Sequence, residues 1–177
     1  MAKIQGGSNG NVAEVDDENR LQVFAVTQNE DKHANVDGRY WSIYITPVVA
    51  VGGSNFFYLQ NNGTKDLFVT DVRISSSVAN QLLYKKVTGV AAAGAAAPVT
   101  NRKLGDPKVP NATILEGAAI TGLTDDGVIF FEETDTGSVR KTLKTTSNII
   151  IPQGQAIAFD ASAAATLTGV ISLSEAE

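Results

Sequence analysis

Cysteine is absent from the 177 residues, and histidine and tryptophan occur once each, as His33 and Trp41. Without thiols there is no disulfide framework, no thiolate metal site and no cysteine nucleophile. One histidine leaves one imidazole on which a nucleophilic triad or a zinc site could be built. His33 lies in the polar run Glu30-Asp31-Lys32-His33-Ala34-Asn35, which reads as a solvated loop. Basic charge is sparse: 14 Lys and Arg stand against 19 Asp and Glu, and no basic cluster is longer than a pair such as Lys85-Lys86. Phosphate is bound by clustered Lys and Arg, so no nucleic-acid partner is expected. Long apolar runs are also missing. Pro47 to Val51 and Val90 to Val99 fall well short of the roughly 20 residues of a membrane span. No apolar segment follows Lys3 as a secretory signal would require, so a soluble, non-exported chain with no membrane partner is expected.

What charge there is sits at the front. Residues 1–38 hold seven acids and three bases, a net of −4 out of −5 for the whole chain, which leaves the remainder close to neutral. Within this leader Val12, Val15, Leu21 and Val23 are spaced through an acidic, Gly- and Asn-rich background. So few apolar side chains cannot offset backbone ordering entropy of roughly 1–2 kcal/mol per residue. The expectation is an extended arm over 1–38 that orders against a neighbouring surface, followed by one domain over 39–177.

From Arg39 onward, short β-branched and aromatic runs alternate with Gly, Asn, Asp and Pro, the pattern of consecutive strands, and helical periodicity is hard to find. Tyr40 to Thr46 alternates Trp41, Ile43 and Ile45 with Tyr40, Ser42 and Tyr44, and Pro47 interrupts the ladder. Phe56 to Gln60, the turn Asn61-Asn62-Gly63 and Leu67 to Ser75 read as a hairpin, with Phe68, Val72 and Ile74 on one face of the returning strand. Gln81 to Thr88 reads as a strand or a short helical turn, and the Ala-rich stretch Gly89 to Val99 as a loop. Asn111 to Glu116, Val128 to Glu133, Val139 to Thr145, Asn148 to Ile151, Gln155 to Asp160 and Thr166 to Ser174 complete an all-β sandwich or barrel. Pro152-Gln153-Gly154 reads as a tight turn, and Leu167, Gly169, Ile171 and Leu173 share a face where Gly169 admits a close neighbour.

Reactive constellations are weak. Glu132-Glu133 point to opposite faces of a strand and form no dyad, and Asp125-Asp126-Gly127 reads as a turn of solvated acids. Neither Asp16-Asp17-Glu18 nor the Asp125 turn has the spacing of a calcium loop, and Gly89 to Gly94 lacks the Lys-Ser/Thr of a phosphate loop. Trp41 with Tyr40 and Tyr44 could stack on a sugar, but alternation separates them, placing Trp41 in the core and the tyrosines at a rim.

The leader Gly10-Asn11-Val12-Ala13-Glu14-Val15-Asp16 with Asn19-Arg20-Leu21-Gln22-Val23, followed by Gly-Arg-Tyr-Trp-Ser-Ile at Gly38 to Ile43, resembles the N-terminal region of virion structural proteins of tailed bacteriophages. The body, through Phe57-Tyr58-Leu59-Gln60-Asn61-Asn62-Gly63 and Ile151-Pro152-Gln153-Gly154-Gln155-Ala156-Ile157, is similar to their jelly-roll modules. The resemblance implies an all-β, jelly-roll-like antiparallel β-sandwich with an extended N-terminal arm. It further implies a non-enzymatic capsid decoration (cement) protein on the capsid surface of a virion, made in the host cytoplasm. The implied partners are the major capsid protein and further copies in a homotrimer, with no cofactor, metal or small-molecule substrate. Val12, Val15, Arg20, Leu21, Val23 and Phe24 are the expected partner contacts. A receptor- or carbohydrate-binding module of a tail fibre or adhesin is the alternative.

Overall fold

The computed structural model describes residues 34–134 and 149–177, together with the strand segments 3–6, 11–15, 21–22 and 141–142. The chain forms two compact units, Met1–Glu30 and Asp31–Glu177. In the first unit β1 (Lys3–Gly6), β2 (Asn11–Val15) and β3 (Leu21–Gln22) pair antiparallel in that order. The leader therefore carries backbone structure of its own where an extended arm was expected. Strands this close in sequence pair at little loop-closure cost, so few apolar residues suffice to bring them together. The second unit takes in residues assigned above to the arm. Ala34 is buried, its carbonyl accepts from Arg39 N at 2.7 Å, and Asp37 pairs with the Arg39 guanidinium at 2.9 Å.

The body is two antiparallel sheets. One is built on β4 (Tyr40–Ile45), β7 (Leu67–Ser76), β10 (Val99–Asn101), β12 (Lys141–Thr142) and β15 (Ala165–Glu175) in the order β10-β4-β15-β7-β12. On the same sheet β5 (Val48–Val49) pairs with β15, and β13 (Ile149–Ile151) with β7. The other sheet runs β6-β14-β8-β11-β9, from β6 (Ser54–Asn61), β8 (Asn80–Ala92), β9 (Ala95–Ala96), β11 (Ala112–Thr134) and β14 (Ala156–Ala161). The eight principal strands in chain order are β4, β6, β7, β8, β11, β12 with β13, β14 and β15, and the sheets then read 1-8-3-6 and 2-7-4-5. That is the connectivity of a jelly roll.

Four elements differ from their sequence reading. The expected hairpin is instead a crossover, because β6 pairs with β14 and β11 whereas β7 pairs with β15, β12 and β13. Asn61 pins it: the fully buried side chain donates from Nδ2 to the Lys65 and Ile151 carbonyls, both at 2.8 Å, and accepts from Gly63 N at 2.9 Å. In β7 the buried face switches from Leu67 and Val69 to Val72 and Ile74, leaving Phe68 on the opposite side. The cause is a bulge at Thr70, where the register moves from Leu173↔Val69 to Ser172↔Asp71. The Ala-rich stretch is paired backbone rather than a loop: Gly89 and Ala92 lie opposite Leu123 and Thr121, and Ala95 and Ala96 opposite Glu116 and Leu115. Cross-strand pairing overrides the low strand propensity of Ala and Gly. Finally, Asp125 to Gly127 is a bulge inside one long strand, with Gly127 at φ 118, and not a turn between two strands.

Between the sheets, Trp41, Ile43 and Ile45 join Phe56, Phe57, Tyr84, Phe159, Leu167, Ile171 and Leu173 in the large core. Tyr84 meets Phe159 edge-on with ring centroids 4.3 Å apart. Leu82 and Tyr84 of β8 are buried in the large core and Val87 on the opposite face, across an unbroken register with β14, which settles Gln81 to Thr88 against a helical turn. A Cβ at Gly169 would collide with the Arg73 carbonyl and come within 2.9 Å of Ile74, the close approach read from the sequence.

Strand β11 adds a feature with no local signature. Its first part pairs with β6 and its second with β8, while β6 and β8 both pair with β14, so β6-β14-β8-β11 closes into a ring. The ring surrounds a second, smaller core of Tyr58, Val87, Ile120, Ala156 and Ala158, packed by Ala91, Leu115 and Leu123. Register shifts at Glu116/Ile120, Thr121/Leu123 and Asp125/Val128 supply the bend. Where β8 and β11 cross most closely, Gly89 and Gly122 have positive φ, and a Cβ on Gly89 would strike the Gly122 carbonyl.

Candidate functional site

The residues expected to contact a partner divide into two groups. Val12 is paired opposite Gln5 in the leader sheet, and Val15 opposite Leu21. Arg20, Val23 and Phe24 lie outside the described residues, as do Asp16, Asp17, Glu18 and His33. The structure thus brings Val15 and Leu21 to one register position and places the rest no further.

The aromatic residues do not assemble a platform. Trp41 is 2 % exposed and donates from Nε1 to the Lys108 carbonyl at 3.0 Å. Tyr40, expected at a rim, is buried: its hydroxyl bonds Thr70 Oγ1 at 2.9 Å, and the Arg102 guanidinium covers its ring at 4.3 Å. Of the three, only Tyr44 is open.

The acids read as a solvated turn are engaged by lysines, which the sequence alone did not reveal. Lys85 on β8 donates from Nζ to Asp125 Oδ2 and Asp160 Oδ2, each at 2.8 Å. The Lys85 side chain is 11 % exposed and that of Asp160 4 %. Burial pulls the Lys85 ammonium toward its neutral form, but the two carboxylates outweigh it and hold the pKa above the ordinary lysine value. A lysine so held stays protonated at neutral pH. Beside it, Lys86 Nζ pairs with Asp126 Oδ2 at 2.6 Å at half-exposed positions. Asp160 Oδ1 and Asn55 Oδ1, on residues directly opposite each other, are buried without a hydrogen-bond partner. Lys85 lies directly opposite Ala158 of the small core. Among the described residues, no group of three His, Asp or Glu side chains is placed to hold a metal ion.

The surface that remains chemically distinctive is on β11. Val128, Ile129 and Phe130 are exposed in succession, at 57, 47 and 39 %. Phe130 touches Tyr84 across the strand pair, with centroids 5.6 Å apart, and so sits at the rim of the large core. Among the described residues, 121–134 are paired on one side only, by β8. From Phe130 to Thr134 this pairing is residue for residue against Tyr84 to Asn80, with Glu133 exposed. The arrangement is, among the described residues, a strand edge with exposed apolar side chains, a geometry that can accept a further strand.

The fold is a jelly-roll sandwich, and among the described residues its distinctive surface is a strand paired on one side. No family model, no curated protein and no solved structure matches the chain. Among the described residues, no helix is long and apolar enough to cross a membrane.

Proposed function

We propose that this is a non-enzymatic structural protein of a tailed-phage virion, of the decoration type that clamps neighbouring major capsid subunits, acting as a homotrimer. The observation that carries the reading is β11: over 121–134 it is paired on one side only among the described residues and carries successive exposed apolar side chains, while Lys85 and Lys86 beside it are engaged in ion pairs with Asp125, Asp126 and Asp160. The separate Met1–Glu30 unit adds a second body through which a subunit can reach a neighbour. Several modest contacts on a symmetric assembly combine through high effective concentration. A jelly roll by itself is compatible with many functions, so the support comes from this surface and from the resemblance of the leader and turn motifs. Of the two tyrosines on which the carbohydrate-binding alternative relied, Tyr40 is buried and Tyr44 is exposed.

Counting copies in purified particles tests the proposal. Quantitative mass spectrometry is expected to give copy numbers comparable to the major capsid protein, with the protein stripped from heads as trimers. A handful of copies at one vertex, or none in the particle, overturns it.

A further inference from the structure

Asparagine followed by glycine occurs twice in the chain, at Asn9-Gly10 and Asn62-Gly63, and the second pair lies among the described residues. The dipeptide carries a reaction of its own. The glycine backbone nitrogen gives its proton to water and attacks the asparagine Cγ; the new C–N bond closes a succinimide ring while the side-chain amide leaves as ammonia. Water then opens the ring at either carbonyl, giving aspartate or isoaspartate, the latter with an extra carbon in the backbone. Glycine favours the step because no side chain crowds its nitrogen and its backbone turns readily into the attacking conformation.

Asn62-Gly63 sits in the corner where the chain leaves β6 and crosses to β7, and Asn62 is exposed. Hydrogen bonds nevertheless hold both reacting groups. Gly63 N, the nucleophile, donates to Asn61 Oδ1 at 2.9 Å. Asn62 Nδ2, the leaving group, donates to Thr113 Oγ1 at 2.9 Å. Asn62 N donates to the Asn111 carbonyl at 2.9 Å, so the backbone and the side chain of Asn62 are both tied to the segment that enters β11. The acceptor for Gly63 is itself fixed, because Asn61 is fully buried and its Nδ2 bonds the Lys65 and Ile151 carbonyls, both at 2.8 Å. A Cβ on residue 63 would lie 3.3 Å from that same Asn61 oxygen, so the corner that restrains Asn62 also favours the glycine that makes it reactive.

We propose that Asn62-Gly63 is a latent self-modification site: the folded corner keeps Gly63 N from Asn62 Cγ, and conversion to aspartate or isoaspartate proceeds only through opening of the β6–β7 crossover. Each conversion is one-way. It replaces the donor Nδ2 with an oxygen and, as isoaspartate, lengthens the backbone next to Asn61, the residue that pins the crossover. The site therefore records openings of this corner, and it does so whatever the protein assembles with.

The test incubates the full-length protein at mildly alkaline pH, folded and unfolded in urea, and follows conversion at Asn62 by peptide mapping with mass spectrometry and an isoaspartate assay. Folded wild type is expected to convert more slowly than the unfolded chain by about tenfold or more, the protection of contacts that must open together. Thr113→Val keeps the shape of a half-buried strand residue and removes the acceptor of Asn62 Nδ2. It should speed conversion in the folded protein about fivefold, the open population gained when one ordinary hydrogen bond is lost. Thr113→Ser keeps the hydroxyl and should convert at the wild-type rate, and all three chains should convert alike in urea. Folded wild type that converts as fast as the unfolded chain overturns the proposal. So does a folded T113V that converts no faster than T113S.

Discussion

Lys85 occupies a position where a lysine is costly, and the two carboxylates at 2.8 Å are what make it tolerable. Asp160 depends on it in turn, since its side chain is 4 % exposed and one of its oxygens has no partner. Lys85→Met should therefore cost about 3 kcal/mol in urea denaturation, because it strands a buried carboxylate. Replacing both partners, in K85M/D160L, should recover most of that loss. The pair also carries a pH signature. The folded state holds the Lys85 proton more tightly than the unfolded chain, whose lysine titrates near 10.5. The stabilisation is then complete below that value and is lost as pH rises through the higher folded value. The stability gap between wild type and K85M should hold from neutral into mildly alkaline pH and shrink only in strong alkali; a gap that closes between neutral and mildly alkaline pH would refute this account. From the sequence, Lys85-Lys86 is simply a basic pair and Asp125-Asp126 a solvated turn. Their pairing depends on the register between β8 and β11, to which no local pattern points.

At the scale of elements, β11 shows why turn signals are ambiguous. Asp-Asp-Gly suits a turn because glycine accepts positive φ, and a bulge makes the same demand, met here by Gly127 at φ 118. Which of the two forms is decided by β8, which continues to pair across the irregularity. The ring that results gives the small core its own weight. Ile120 is 3 % exposed within it, and Ile120→Ala should destabilise the protein by roughly 2–4 kcal/mol. Chemical denaturation should show a lower midpoint with an unchanged slope if the two cores unfold together. A loss below about 0.5 kcal/mol, the range of ordinary surface changes, would mean that the ring closure is ornamental to stability. The β7 bulge carries the same lesson: strict alternation groups Phe68 with Val72 and Ile74, and one extra residue at Thr70 reverses the face.

For the molecule as a whole, the division at Glu30/Asp31 makes a direct prediction. Among the described residues, those of the large and small cores all lie beyond the first unit, so removing residues 1–30 should leave the body folded, with a melting temperature within a few degrees of the full chain. The same deletion should abolish or sharply weaken binding to capsid shells if the leader is a clamp. Shell binding retained at full strength would assign the contact to the body alone, and loss of the cooperative transition would show that the body needs its leader.

Composition and period-two alternation are carried by each segment alone, and from them follow the all-β class, the core positions of Trp41, Ile43 and Ile45, the close approach at Gly169 and the acidic leader. Tertiary structure alone decided that the β6–β7 link is a crossover, that β11 is one strand closing a ring, and that Lys85 meets Asp125 and Asp160. Alternation tells a strand which face is buried but not which strand lies beside it. That choice is made by pairing between residues far apart in the chain, where a shift of one position exchanges every face.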